Sequence, residues 1–528
     1  MYRILSASKD TYITNKIINN RFRATDANVG EAATIDIFKL YGESTLSGSS
    51  TPIELSRGLV KFDLSPIRQL TSSNLDISHS SFKCYLKLHD IYGGQTTPSN
   101  FNILVFPLSQ SFDEGVGRDI ISFSDLDACN WVTASVTSEN SPVKWFITGA
   151  NSIGLLGSSD IDVISSGNLN DGSGIVSLFA KQTFSTGEED LYVDVTNIIS
   201  ATIVNLIPDH GFRISYSGTY ADLGTDSAET DSVTRYVKRF ASRNTANTRI
   251  RPKLIVKYND TVQDHHESFF FNVSGSLFLN NFHRGKPANI VSGSSLTEIK
   301  GDNCIILRIE SGSNTLGTLF RKYITGSQHK VGNNFITGVY SASFAVSDFE
   351  SSALLKQSRL AGSASFKEYW ESTANNDLST LGKPYGYYTG SFNIDNVNRT
   401  SFGASEKRYY VSIINLESRY RNSDKVKLRV YAEDVTRPVK YKKIPFYRKS
   451  QIFTNMHYRV KDFDSNDIII PFDKEDNSTL LSTDSEGMFF EFYMSSLPKG
   501  RTYIFELLIT SHGFDQVFTS VTPKFSVD

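Results

Sequence analysis

Cysteine is scarce in this chain: Cys84, Cys129 and Cys304 are the only three in 528 residues. They are too few and too scattered for a disulfide framework or a zinc cluster, and they suit assembly in a reducing compartment. Charge of one sign is equally lacking, with 54 Lys plus Arg against 56 Asp plus Glu and a formal net charge of −2. Near-neutrality removes the polyelectrolyte reason to bind nucleic acid and gives no attraction to an anionic membrane surface. No apolar run approaches the roughly 18 residues of a membrane span. The opening MYRILSASKD has no charged segment followed by an apolar one, so export by the usual signal is not expected. Walker A, HExxH, GxSxG and GxGxxG patterns are also missing, and with them the commonest signatures of nucleotide, zinc and serine-hydrolase chemistry. The expectation is a chain with no catalytic residues, no cofactor and no metal.

Aromatic residues, in contrast, are abundant, with 36 Phe and 25 Tyr beside only four Met. Gly, Ser, Thr and Asn clusters recur every ten residues or so, the punctuation of many short strands, so the fold class is all-β. At roughly 100 to 200 residues per domain the length gives three or four domains. SASKDTYITNK (residues 6–16) and FASRNTANTRIRPKLIVKY (residues 240–258) read as the opening and closing strands of one large β-domain. In the closing strand Leu254, Val256 and Tyr258 share a face. Between them lie strands at Arg57–Ser65, Phe82–His89, Phe101–Pro107, Leu191–Val195 and Phe212–Tyr216. One short helix is expected over Val195–Leu206, with Asp194 or Thr196 as its cap. The polar NDTVQDHHES, residues 259–268, reads as a linker. A β-sandwich is expected over 269–400, with a mixed, partly helical insert around Ser351–Trp370. A third domain, an immunoglobulin-like β-sandwich, is expected over 401–528, where Pro498-Lys-Gly500 makes a turn between strong strands.

In the first domain DTYI, RGLVKFDLS, YVDVT, GFRISY and FASRNTANTRIRPKLIVKY follow one another in the order seen in DNRLRE-type domains. The chain resembles that family, relatives of carbohydrate-binding modules. The resemblance implies a jelly-roll sandwich for residues 1–258, with an insertion from Asp113 to Gly187. Where the family has Ser-Arg-Glu before its last strand, this chain has Ser242-Arg243-Asn244. In the third domain RVYAEDVTRP, YRVKDFDSNDIIIPFD and LSTDSEGMFFEFYMSSLPKGRTYIFEL are similar to the C-terminal β-domain of structural proteins in tailed bacteriophages, particularly the large marine and T4-like groups. That resemblance implies a virion protein, made in the host cytoplasm and present in several copies, that contacts other virion proteins at the head, neck or tail. The alternative is an adhesin whose jelly roll binds a host surface glycan.

Four local features bear on sites. Asp462-x-Asp464-x-Asn466 resembles the start of a calcium loop, but Asp467 stands where an EF-hand needs Gly. Ile468, Ile469 and Ile470 then read as a strand, so a polar turn entering a strand is the competing reading. His265-His266 sits in the linker and reads as solvated. Trp131 and Trp145, with Trp370, are either sugar-stacking platforms or core residues, and the first two are the glycan-binding candidates. No acid occurs between Val435 and Lys461. Arg437, Lys440, Tyr441, Lys442, Lys443, Phe446, Tyr447, Arg448 and Lys449 therefore form a basic, aromatic segment, either a solvated hairpin or a surface that docks on an acidic neighbour.

Overall fold

The computed structural model describes residues 1–71, 75–121, 127–169, 174–217, 228–292, 295–313, 318–372, 386–397, 408–436, 450–511, 513–519 and 523–528. The chain is all-β and forms two compact units. One comprises residues 2–69 and 82–257; the other comprises Met1, residues 70–81 and residues 258–528.

In the first unit β1 (Tyr2–Thr14) serves two sheets. Its first part runs antiparallel to β10 (Lys253–Lys257), Tyr2 facing Lys257 and Leu5 facing Leu254, so the opening and closing phrases do pair. After a register shift between Ala7 and Lys9 its second part pairs with β3 (Ile53–Phe62). Such a bulge bends a strand, which lets one chain turn the corner between two packed layers. On one side of the corner β4 (Lys83–Leu88) and β7 (Leu191–Asp194) follow β10. On the other β8 (Phe212–Tyr216), β5 (Phe101–Pro107) and β6 (Ala180–Phe184) follow β3. β2 (Thr34–Tyr41) joins β3 and carries β9 (Arg235–Ala241) on its other edge. Strict alternation explains β4, where Cys84, Leu86 and Leu88 are fully buried and the lysines and tyrosine between them are not. α1 (Ser65–Thr71) follows β3.

The expected helix is α2 (Thr196–Ile203), shorter by about a turn than the apolar spacing suggests. Its N-cap residue is Val195, with no side-chain cap. Asp194 instead accepts the Thr196 N–H (2.8 Å), and the Thr196 hydroxyl accepts the Cys84 N–H (2.9 Å). The second of these bonds ties the helix to β4.

In the second unit the described strands between residues 269 and 397 divide into two sheets that share one long strand. Along one continuous path the strands run in the order β11, β17, β16, β13, β14, β15, β12, with β11 (Phe269–Phe270), β12 (Gly275–Asn280), β13 (Ile305–Ser311), β14 (Phe320–Val331), β15 (Asn334–Phe344), β16 (Ser363–Ser372) and β17 (Gly386–Asp395), and β14 is the shared strand, its first part pairing with β13 and its last part with β15. The outermost strands of the path, β11 and β12, are joined by only Phe271–Ser274, so the path curls until one stretch of chain supplies both edges. Phe269, Leu277, Leu307, Tyr340, Trp370 and Phe392 fill a single core. The expected helical insert is α3 (Ser352–Ala361), capped by the Ser351 side chain on Leu354 N and ended by Gly362 at φ 75°.

The C-terminal part is a sandwich, as expected. One sheet holds β18 (Tyr409–Ile413), β20 (Lys425–Asp434), β24 (Gly487–Tyr493) and β23 (Ser482–Asp484). The other holds β19 (Arg419–Tyr420), β27 (Phe525–Val527), β25 (Arg501–Ser511), β21 (Met456–Asp462) and β22 (Ile468–Ile470), with β26 (Phe514–Phe518) against β25. Rings from the two layers interlock: Tyr458 stacks on Phe490 at 4.5 Å and Phe505 meets Phe490 edge-on at 5.3 Å.

Candidate functional site

The tryptophans proposed as sugar platforms are core residues. Trp131 is 7 % exposed and Trp145 4 %, both in one buried cluster with Leu59 and Phe106, and Trp145 Nε1 donates to Asn130 O at 2.9 Å. Trp370 is buried as well. The reason is the insertion. Arg57 on β3 and Arg213 on β8 rise from the sheet and grip its backbone: Arg57 Nη1 donates to Gly149 O (2.5 Å) and Arg213 Nη1 to Ala150 O (2.6 Å). Arg57 also makes a two-pronged ion pair with Glu229 (2.9 and 2.6 Å), and its guanidinium lies 5.2 Å from the Trp131 ring. Asp162, within the insertion, accepts the N–H groups of Phe146, Ile147 and Ser152. Burial, and then the neighbouring Arg57 cation, lower Arg213 to about 9, against the pull of Glu229 and Asp162. This sheet face is roofed by charge-assisted bonds.

Residues of the opening and closing phrases converge on a second cluster. Asp10, buried on β1, accepts the Arg243 backbone N–H through Oδ2 (2.6 Å), while its own N–H donates to Glu114 Oε1 (2.9 Å). Arg243 closes the ring with two bonds to the Glu114 carboxylate (2.5 and 2.7 Å). Asn28 donates to Glu114 O, and Asn244 donates to Gly30 O. Burial raises the Asp10 carboxyl to about 7, assisted by the Glu114 charge and opposed by Arg243. The ring fastens the first strand to the segment preceding the last.

The third cluster lies where solvated polar residues were expected. His266 is buried, and both its nitrogens are engaged: Nδ1 lies 2.6 Å from Asp264 Oδ1, and Nε2 lies 3.0 Å from both oxygens of Glu368 on β16. Trp370 Nε1 donates to the same Glu368 carboxylate at 3.3 Å. Asp264 is fixed from the other side, its carbonyl accepting the Thr483 hydroxyl (2.8 Å). Burial alone would lower the imidazole, but the hydrogen bonds and charges of Asp264 and Glu368 outweigh it and raise His266 to about 10. Residues 262–266 are therefore a joint between the curled sheets and the C-terminal sandwich, and the solvated reading of His266 is corrected. Adjacency in the chain hid this, because Glu368 comes 102 residues later.

The remaining candidates resolve differently. Asp462 is fully buried; its carboxylate accepts the N–H groups of Asp464 and Ser465 and pairs with Arg501 at 2.8 Å. The segment is the polar turn entering a strand, with Ile470 buried and Ile468 exposed. Arg437, Lys440, Tyr441, Lys442, Lys443, Phe446, Tyr447, Arg448 and Lys449 lie outside the described residues. Beyond them, Arg459 and Lys461 both pair with the buried Glu506. Large apolar side chains are exposed in many places, some of which the sequence pattern does not single out. Phe514 (79 %) and Val517 lie on β26, and Phe282 and Leu296 (69 %) lie on the small hairpins that follow β12. No protein-family model matches the chain, and no curated protein matches it.

Proposed function

We propose that this chain is a structural component of a tailed-phage particle, associated with the head, neck or tail and acting through protein–protein contacts with other virion proteins. The observation that supports it most is where reactive and sticky groups lie. Glu229, Asp10, Glu114, Asp264 and Glu368 are engaged in closing the fold, whereas Phe282, Leu296, Phe514 and Val517 face outward on hairpins and a sheet edge. Carboxylates locked to arginine, histidine or backbone suit rigidity rather than turnover, and exposed apolar side chains on edges and hairpins suit assembly. The similarity of the C-terminal phrases to phage structural proteins points the same way.

The test is localisation on purified particles by cryo-electron microscopy. Density for the chain among other virion subunits is the expected result, and its absence from intact particles overturns the reading. Reversing Lys440, Lys442 and Lys443 to Glu should leave the chain folded while lowering its incorporation; undiminished incorporation would rule that segment out as the docking surface. The adhesin alternative cannot use Trp131 and Trp145, which are in the core.

A further inference from the structure

Lys39 and Lys238 are the two fully buried lysines among the described residues, and each holds an acid at 2.6 Å: Lys39 holds Asp231, and Lys238 holds Asp90. An ammonium taken out of water is costly to keep charged, even beside a carboxylate. The two sites meet that cost differently. Asp231 is 26 % exposed and also accepts both Nη groups of Arg235, at 2.9 and 2.7 Å. Burial would raise its carboxyl, but the bonds from Arg235 and Lys39 outweigh it and hold Asp231 well below its usual range. That pair stays ionic. At the other site burial raises the Asp90 carboxyl against the pull of Lys238, helped by the Asp190 and Glu188 charges. Burial likewise lowers the Lys238 amine against Asp90, Glu189 and Asp190. Both shifts favour passage of a proton from the ammonium to the carboxylate, which leaves a neutral amine beside a neutral acid.

The geometry around Lys238 is that of a held nucleophile. Asp90, just after β4, forms an isolated bridge with Phe240 of β9, and Lys238, two residues before Phe240, reaches across to it. Lys238 Nζ donates to Gly187 O (2.8 Å), Glu189 O (2.7 Å) and Asp90 Oδ1 (2.6 Å). The fully buried rings of Phe184 and Phe240 each stand 5.0 Å from the nitrogen and keep water out. Two carbonyls fix two N–H groups, so once the third proton has passed to Asp90 the freed lone pair lies against the carboxyl group. We propose that Lys238 and Asp90 condense into an intramolecular isopeptide bond. The bond from Lys238 Nζ to Asp90 Cγ forms and one Cγ–O bond breaks. The oxygen leaves as water with two of the ammonium protons, and the third stays on the amide nitrogen. No oxidant or co-reactant is consumed. The product puts one neutral, planar amide in the place of two buried ions. It also closes a loop between residues 148 apart and ties β9 to the end of β4, which constrains the unfolded chain as a disulfide would. The inference goes beyond the architectural role and does not depend on it.

The experiment is mass spectrometry of the denatured full chain, fresh and after prolonged incubation, followed by proteolysis and peptide mapping. The parent should be lighter by one water than its sequence requires, and a branched peptide should join Lys238 to Asp90. The variants Lys238→Gln and Asp90→Ala should keep their full mass and run behind the parent on a denaturing gel, because the cross-linked chain stays more compact. No branched peptide should join Lys39 to Asp231. A parent that keeps its full mass after incubation overturns the proposal. So does a water loss that persists in Lys238→Gln or maps to other residues. The deciding mass is that of the parent itself, so the test stands even where a variant fails to fold.

Discussion

His266 is where a single side chain decides most. Its folded-state pKa, about 10, stands above the ordinary 6.5, so the protonated ring contributes stability that is complete below the lower value and lost as pH rises through the upper one. The second unit should therefore melt at progressively lower temperature from neutrality to about pH 10. His266→Gln should remove most of that slope and cost about 3 kcal/mol near neutrality, because it leaves Asp264 and Glu368 buried without their cation. A parent chain whose melting temperature stays level across this range would contradict the account. Arg57 and Glu229 form a similar buried pair. Either partner replaced alone by an apolar residue should cost about 3 to 5 kcal/mol, and both together less than the sum, which a double-mutant cycle by chemical denaturation measures. Neither pair could be read from the sequence, since Glu229 follows Arg57 by 172 residues and Glu368 follows His266 by 102, and nothing local marks a carboxylate as someone's counter-ion.

At the scale of elements, the insertion that roofs the first sheet depends on a close approach at Gly149. Its φ is 80°, and a Cβ there would lie 2.5 Å from Trp131 Cζ2 and 2.8 Å from Arg57 Nη1. Gly149→Ala should push the roof off the sheet, costing about 3 kcal/mol or more, with tryptophan emission shifted to the red as Trp131 meets water. Unchanged emission and unchanged stability would mean that the roof is looser than the arginine bonds imply. Strands themselves were legible. Alternation such as that of residues 83–88 marks a buried face wherever it occurs, and the pairing of the opening with the closing phrase followed from it. What alternation does not encode is which sheets face each other. Within residues 269–397 the period of two is the same on both sheets, and nothing in it marks β14 as the strand they share. Likewise, an aromatic ring reads the same in sequence whether a neighbouring segment covers it or not. Trp131 and Trp145 therefore read in the sequence as open candidates, and it is the roof that makes them core residues.

For the molecule as a whole, the thiols offer a simple check on burial. Cys84 and Cys129 are fully buried, and burial pushes both thiols well up from their ordinary value, while Cys304 is half-buried. Native protein should react with an aromatic disulfide reagent at Cys304 alone, and denatured protein at all three cysteines. Rapid native reaction of all three would show that the cores open readily. The partition of the chain carries a further consequence. It passes from one unit to the other at four junctions, after residues 1, 69, 81 and 257, because residues 70–81 belong to the second unit. There Asp76 accepts the Asn333 N–H (2.7 Å) and the Leu75 carbonyl accepts from Asn334 (3.1 Å). Residues 70–81 thus pack with a unit whose remaining strands come almost 190 residues later: a fragment ending at Lys257 keeps every strand of its own sheets and still trails a loop whose buried leucine has lost its lodging.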